Sequence, residues 1–268
     1  MTLSHRLLSI ALLLVLATPS ASALSVPRGF RIVDDAPGVM LYKQRNNYVQ
    51  VVSLADGARL HILHGRFFEE GSHGSFARQH MKDWWTEFAA ETQNAFSVLN
   101  GQFFDTSDPD TSALAFSIKA DGKVYEGYGD KTEYPGRKRM LVVYPGRAFM
   151  DAYADDPVSL LEHTAPDILV GLEPTAAKTL ARALPRTFMG IARTGEVLLF
   201  SSSMATQASA SRILRAFGAP IDQILMLDGG SSTHLLQSGK VLAPVSARGT
   251  PQAAREKVPQ VVGVEAAQ

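Results

Sequence analysis

The sequence predicts one α+β domain, a mixed β-sheet core with covering helices, over residues 24–268. Two observations carry this reading. Short apolar strand patterns separated by Asp-Gly and Arg-Thr-Gly turns recur along the chain, and two segments change to the three- and four-residue apolar spacing of helices. Local hairpins joined by a few helices define this class better than strict strand-helix alternation does.

In chain order, residues 39–42, 48–52 and 60–64 read as a β-meander, with Asp56-Gly57 turning the chain between the last two. Residues 65–74 are polar and glycine-flanked, the pattern of a loop. Met81, Trp84, Trp85, Phe88 and Ala89 share one face of a helix over 81–92. Residues 95–99 form a strand that delivers Asn100, and 114–118 pairs with 123–128 across Asp121-Gly122. The Asp-, Ser-, Thr- and Pro-rich stretch 106–112 is a lid or a surface connection. Residues 141–144 and 168–170 are apolar strands, and 175–183 looks helical, ending before Pro185. A hairpin of 186–192 with 196–201 turns at Arg193-Thr194-Gly195. A helix over 206–217 stops at Gly218 and precedes strand 223–227. Strand 233–237, a loop over 243–259 and a last strand at 261–264 complete the chain.

Composition bounds the function. Lys plus Arg and Asp plus Glu number 26 each, so the formal charge is zero and no nucleic-acid partner is expected. Cysteine is absent, which excludes disulfides, thiol catalysis and Cys-ligated metals. His5 and Arg6 precede an apolar run at 7–17 and the small-residue triplet Ala21-Ser22-Ala23, the pattern of a cleavable secretory signal over 1–23. That run is about 11 residues, against roughly 20 for a spanning helix. No later run reaches spanning length, so no membrane span is expected after signal removal, and the localisation expected is secreted or periplasmic.

The most informative segment is Ile224-Leu225-Met226-Leu227 running into Asp228-Gly229-Gly230-Ser231-Ser232-Thr233-His234. Its shortness and the polar turn favour a strand buried on both faces, with Asp228 at its end. Glycines let backbone approach a ligand, and successive N–H groups in such a turn can bind an anion. A tight Asp-Gly hairpin turn would explain the glycines, but not three consecutive hydroxyls.

This segment resembles the Asp-Gly-Gly-(Gly)-Ser-Ser-Thr signature of the phosphodiester glycosidase family. Asn100-Gly101-Gln102-Phe103-Phe104-Asp105 is similar to that family's Asn-Gly-Gly-Phe-Phe segment, and Pro185-Arg186-Thr187-Phe188-Met189-Gly190-Ile191 to its Pro-Arg-Thr-x-x-Gly-Ile strand. Lys240-Val241-Leu242 continues the likeness, which covers about residues 95–264. Gln102 stands for a usual glycine, the third glycine after Asp228 is missing, and 171–184 aligns poorly. The resemblance implies a secreted hydrolase that cleaves a sugar-1-phosphodiester of N-acetylglucosamine type, or a related one, in envelope or extracellular polysaccharide.

Such chemistry needs a clamp for phosphate and a carboxylate at the anomeric carbon. The expected catalytic residues are Asp228, with Asp105 and Glu173 as further carboxylates, Arg186 as a planar fork for phosphate, and Asn100 for sugar hydroxyls or an acetamido group. The expected substrate-binding residues are Gly229, Gly230, Ser231, Ser232, Thr233, His234, Asp105 and Phe104. No cofactor is expected. His61 and His64, in a looser set with His73 and His80, leave a divalent cation open, although no zinc-type spacing occurs. A serine hydrolase lacks its closing glycine here, and a P-loop is absent. The alternative is a non-catalytic glycan or phosphoglycan binding protein using the same pocket.

Overall fold

Alternation along the strands sets the layers. In strand Ile224–Met226, Ile224 and Met226 point to one core, while Leu225 and the following Leu227 point to another; all four are buried, as a strand enclosed on both faces requires. The computed structural model describes residues 24–69, 72–243 and 256–268. The expected signal at 1–23 and most of the expected loop at 243–259 lie outside them.

An eleven-stranded sheet runs Arg31–Ala36, Val39–Gln44, Asn47–Val52, Val197–Ala205, Leu184–Ile191, Ile224–Met226, Asp167–Leu172, Lys138–Tyr144, Arg147–Ala152. The hairpin Ile118–Ala120 and Lys123–Tyr125 joins it through Asp167–Leu172. A five-stranded sheet runs Lys240–Ala243, Leu235–Gln237, Ala95–Asn100, Gln260–Glu265, Arg59–His64, and a three-stranded one joins Phe67–Phe68, Ser75–Ala77 and Thr111–Ser112.

The two larger sheets bury their facing side chains in one core that includes Leu41, Leu99, Leu141, Leu199, Leu225 and Val262. Helix α1, Met81–Glu91, packs Met81, Trp84 and Phe88 onto Val98, Leu236 and Val261 on the outer face of the smaller sheet. Helix α2, Gln207–Ala216, starts at Thr206, whose hydroxyl accepts from the Ser209 N–H. It packs Ala210 and Leu214 into the core on the other face of the larger sheet. The order is helix, sheet, sheet, helix.

The α+β class holds in a strand-dominated form, with two α-helices of 11 and 10 residues among the described residues. The hairpin at Arg193-Thr194-Gly195 forms as expected, with Gly195 at φ 101°. Four expectations are corrected. The sheets are not mixed: each strand pair among the described residues is antiparallel. The meander breaks at Asp56-Gly57, because Arg59–His64 leaves its neighbour and pairs with Gln260–Glu265 in the other sheet. The helix expected at 175–183 is a series of turns. Its backbone bonds close single turns, Lys178 N–H to Ala176 O and Arg182 N–H to Thr179 O, and side chains from outside the stretch also donate to its carbonyls, Gln207 to Pro174 and Ala176, and Arg186 to Thr179 and Arg182. The expected loop at 65–74 contains strand Phe67–Phe68. Among the described residues no helix is long and apolar enough to cross a membrane.

Candidate active site

The central strand delivers Asp228 to the end of the larger sheet, and main-chain bonds fix it there. Leu227 N–H donates to Thr187 O at 3.0 Å and Asp228 N–H to Gly101 O at 3.1 Å, so the two sheets meet at this residue. Asn100 completes the joint. Its Oδ1 accepts from Thr187 Oγ1 at 2.6 Å and from His234 N–H at 3.0 Å, while Nδ2 donates to Asp228 O at 2.9 Å. Only 1% exposed, Asn100 has its side chain engaged with protein. The expectation that it meets a sugar is corrected: it holds the Asp228 turn in place.

The Asp228 carboxyl is closely surrounded by protein although part of the residue reaches solvent. Desolvation is the largest influence and pushes its pKa up to about 6. A Ser232 hydroxyl bond, the Gly229 N–H at 2.8 Å and the charge of Lys178 act downward, and Glu256 acts upward. Gly229 is a packing glycine, since a Cβ there would come within 2.9 Å of Pro185 O. Gly230 is the open one: its φ is 69° and nothing lies within 4 Å of where a Cβ would be.

The three hydroxyls separate. Ser231 is exposed, Ser232 is buried against Asp228, and Thr233 is fully buried with its Oγ1 unpartnered among the described residues. His234, expected to meet substrate, is 1% exposed; its Nδ1 donates to Ser232 O at 3.1 Å and desolvation lowers its pKa, so it is a neutral packing histidine. The substrate contacts expected of Thr233 and His234 are therefore corrected.

Arg186 is also corrected. Its Nη2 donates to Thr179 O at 2.8 Å, Thr179 Oγ1 at 2.9 Å and Arg182 O at 3.1 Å, and Nε to Ala205 O at 3.3 Å. The fork ties the 175–183 turns to the sheet. Burial, then Arg182, lowers its pKa, and no carboxylate offsets this among the described residues. What the turns present is Lys178, whose ammonium lies 4.1 Å from the centre of the Phe103 ring and acts on Asp228.

Of the further carboxylates, Glu173 is bound by Arg137 at 3.2 Å and Arg139 at 2.9 Å, a structural pair. Asp105 is exposed and accepts from Ser107 N–H at 3.1 Å and from the Ser107 hydroxyl, which lower its pKa. Phe104 is half-buried, with the Arg78 guanidinium 4.9 Å from its ring centre, so one face is already covered. Residues missed at the sequence level are Lys178, Tyr128 and Glu256. Burial first, then Glu133, Asp105 and Asp228, push the Tyr128 hydroxyl up to about 12. Glu256, 3.6 Å from Arg78, acts on both Asp228 and His234. A lone Lys, Tyr or Glu has no local pattern that would single it out.

The cation option at His61 and His64 is corrected too. Three residues apart on a strand they face opposite sides: His61 pairs with Glu265 at 2.8 Å and packs on Phe88, whereas His64 packs on Phe76 and Tyr125. Among the described residues no three His, Asp or Glu are grouped to hold a metal.

Residues 62–265 match the family model described as phosphodiester glycosidase. Among solved structures, the chain is similar to the catalytic domain of zebrafish N-acetylglucosamine-1-phosphodiester alpha-N-acetylglucosaminidase, auto-inhibited by its pro-peptide. That likeness has 14% identity and a TM-score of 0.57 over 89% of this chain and 82% of that one, and it shows the fold alone. A hypothetical protein from Synechocystis aligns at 13% identity and a TM-score of 0.44 over 88% of this chain and 61% of its own. No curated protein sequence matches.

Proposed function

The chain belongs to the phosphodiester glycosidase family, and from that premise we propose that it hydrolyses the bond between the anomeric carbon and phosphate of a sugar-1-phosphodiester. N-acetylglucosamine, named for the zebrafish enzyme, is the first sugar to test. We take the substrate to belong to an envelope or extracellular polysaccharide, which the secretory pattern at residues 1–23 supports.

The observation that carries the reading is Asp228, a carboxyl with a pKa of about 6 beside an open glycine backbone and a lysine. A phosphate monoester is a weakly basic leaving group, so the bond breaks with little help from an acid. The demand is for positive charge around the departing oxygens and for a base at the anomeric carbon. Lys178, the exposed Ser231 hydroxyl and the Gly230 backbone meet the first; ionised Asp228 meets the second. In the step proposed, water oxygen bonds to the anomeric carbon, its proton passes to Asp228, and the electron pair of the broken C–O bond leaves on phosphate. Arg186 acts as a positioning residue by holding the turns that carry Lys178.

The test is release of free sugar and phosphomonoester from an N-acetylglucosamine-1-phosphodiester, with wild type beside Asp228→Asn. Release that the substitution abolishes supports the assignment. Equal release by both proteins removes Asp228 from the mechanism, and saturable binding without release supports the glycan-binding alternative.

A further inference from the structure

A cavity of about 500 Å³, not used by the step above, is lined by Asp105, four residues along the chain from Gly101, whose carbonyl accepts from the Asp228 N–H at 3.1 Å. The volume lies within the roughly 300–1,000 Å³ of small-molecule sites, enough for a sugar unit. Tyr128 links the two places. It lines the cavity together with Asp105, and its hydroxyl feels the charges of both Asp105 and Asp228.

The lining chemistry is one-sided. It offers hydroxyls of Ser75, Thr111 and Tyr128, the carboxylates of Asp105 and Asp108, and His73, with no lysine or arginine. Both carboxylates stay ionised at neutral pH: the Ser107 hydroxyl holds Asp105 low, and the N–H groups of Asp110 and Thr111 hold Asp108 low. The Nδ1 of His73 is buried without a partner among the described residues.

The walls are already built. Thr111–Ser112 pairs with Ser75–Ala77, Arg78 N–H donates to Asp110 O at 2.7 Å, and Arg78 Nη1 donates to Asp108 O at 2.6 Å. The stretch 106–112 is thereby tied down as a wall and not left as a bare surface connection.

We propose that this cavity is the aglycone subsite and that it selects a hydroxyl-rich aglycone without negative charge, a sugar or polyol unit. The proposal rests on the reading of Asp228 as the hydrolytic centre. Hydroxyls and His73 hydrogen-bond the aglycone, while two fixed negative charges reject a second phosphate or a carboxylate.

The experiment compares kcat/KM for N-acetylglucosamine-1-phosphate esterified to the 6-hydroxyl of methyl glucoside, to ethanol, and to the hydroxyl of glycerate. The expected order is glucoside, then ethyl, then glycerate, with at least about tenfold between the first and last, one strong charge interaction. Asp108→Asn, which keeps an acceptor oxygen for the 110 and 111 N–H groups, should narrow the glucoside-to-glycerate ratio, and His73→Ala should narrow the glucoside-to-ethyl ratio. Turnover of all three esters at equal rates overturns the subsite while leaving the hydrolytic reading intact. If no ester is cleaved, the hydrolytic reading fails for N-acetylglucosamine. The cavity is then judged by calorimetric titration with methyl glucoside and with glucose 6-phosphate. Preference for the uncharged sugar, weakened in His73→Ala, supports a sugar site; no binding, or preference for the phosphate, overturns it.

Discussion

Asp130 and Asp228 are both aspartates enclosed by protein, and they differ in what meets their oxygens. Asp130 is 3% exposed and accepts from Ser117 N–H at 2.9 Å, Ser117 Oγ at 2.5 Å and Gly127 N–H at 3.0 Å. Asp228 has the Gly229 N–H and one hydroxyl, with a second carboxylate, Glu256, nearby. A carboxylate surrounded by donors is a structural tie. One left short of donors in a desolvated turn holds its proton to an unusually high pH and is available for chemistry.

The comparison breaks most sharply by substitution. Asp228→Asn should lower turnover by on the order of 10³-fold, the middle of the range for a positioned base, with the fold retained. Asp130→Ala should do the opposite, leaving the Ser117 N–H and hydroxyl unpaired while Gly127 N–H keeps its bond to Ser117 Oγ, and costing about 3 kcal/mol by denaturant unfolding, at near-normal turnover per folded molecule. Similar losses of activity in both variants would erase the distinction.

Asn100→Ala lies between the two. It unpairs Thr187 Oγ1, the His234 N–H and the Asp228 carbonyl, so about 2–4 kcal/mol of stability should go together with part of the activity. Unaltered melting in this variant would show that the joint is not where the sheets are held.

The pH dependence gives a smaller signal with a definite sign. Because the folded pKa of Asp228 is raised, its contribution to stability is fully present below the ordinary carboxylate value and is lost as pH rises through about 6. Asp228→Asn removes that loss. The variant should be more stable than wild type at pH 8 by on the order of 1 kcal/mol, after discounting for partial solvent screening, and should lose this advantage near pH 4. Turnover should rise with pH through about 6, since the ionised form acts. A rate that falls across this range would make Asp228 the acid.

The smallest effect is that of Lys178→Ala. Lys178 lowers the Asp228 pKa, so its removal should move the rising limb of the pH–rate profile to higher pH and weaken phosphate contact. An unmoved limb would separate Lys178 from the site.

Several elements were legible because their signals are local. The strand into Asp228, helix 206–217 with its Gly218 stop, and the 193–195 turn each follow from period and turn chemistry within about a dozen residues. The turns at 175–183 were not, because an alanine-rich stretch reads as helix, whereas its carbonyls are shared between single local turns and the side chains of Gln207, about thirty residues away, and Arg186, just beyond its end.

The sequence by itself determined the strand-end aspartate, its glycines and the resemblance to a phosphodiester glycosidase, since these lie in contiguous residues. Tertiary structure decided which polar groups face one another. It turned Arg186 and Asn100 inward as supports, brought Lys178, Tyr128 and Glu256 to Asp228, and sent Arg59–His64 to the other sheet. The physical reason is that hydrogen-bond partners and desolvation belong to neighbours in space, and neither is written in the spacing of residues along the chain.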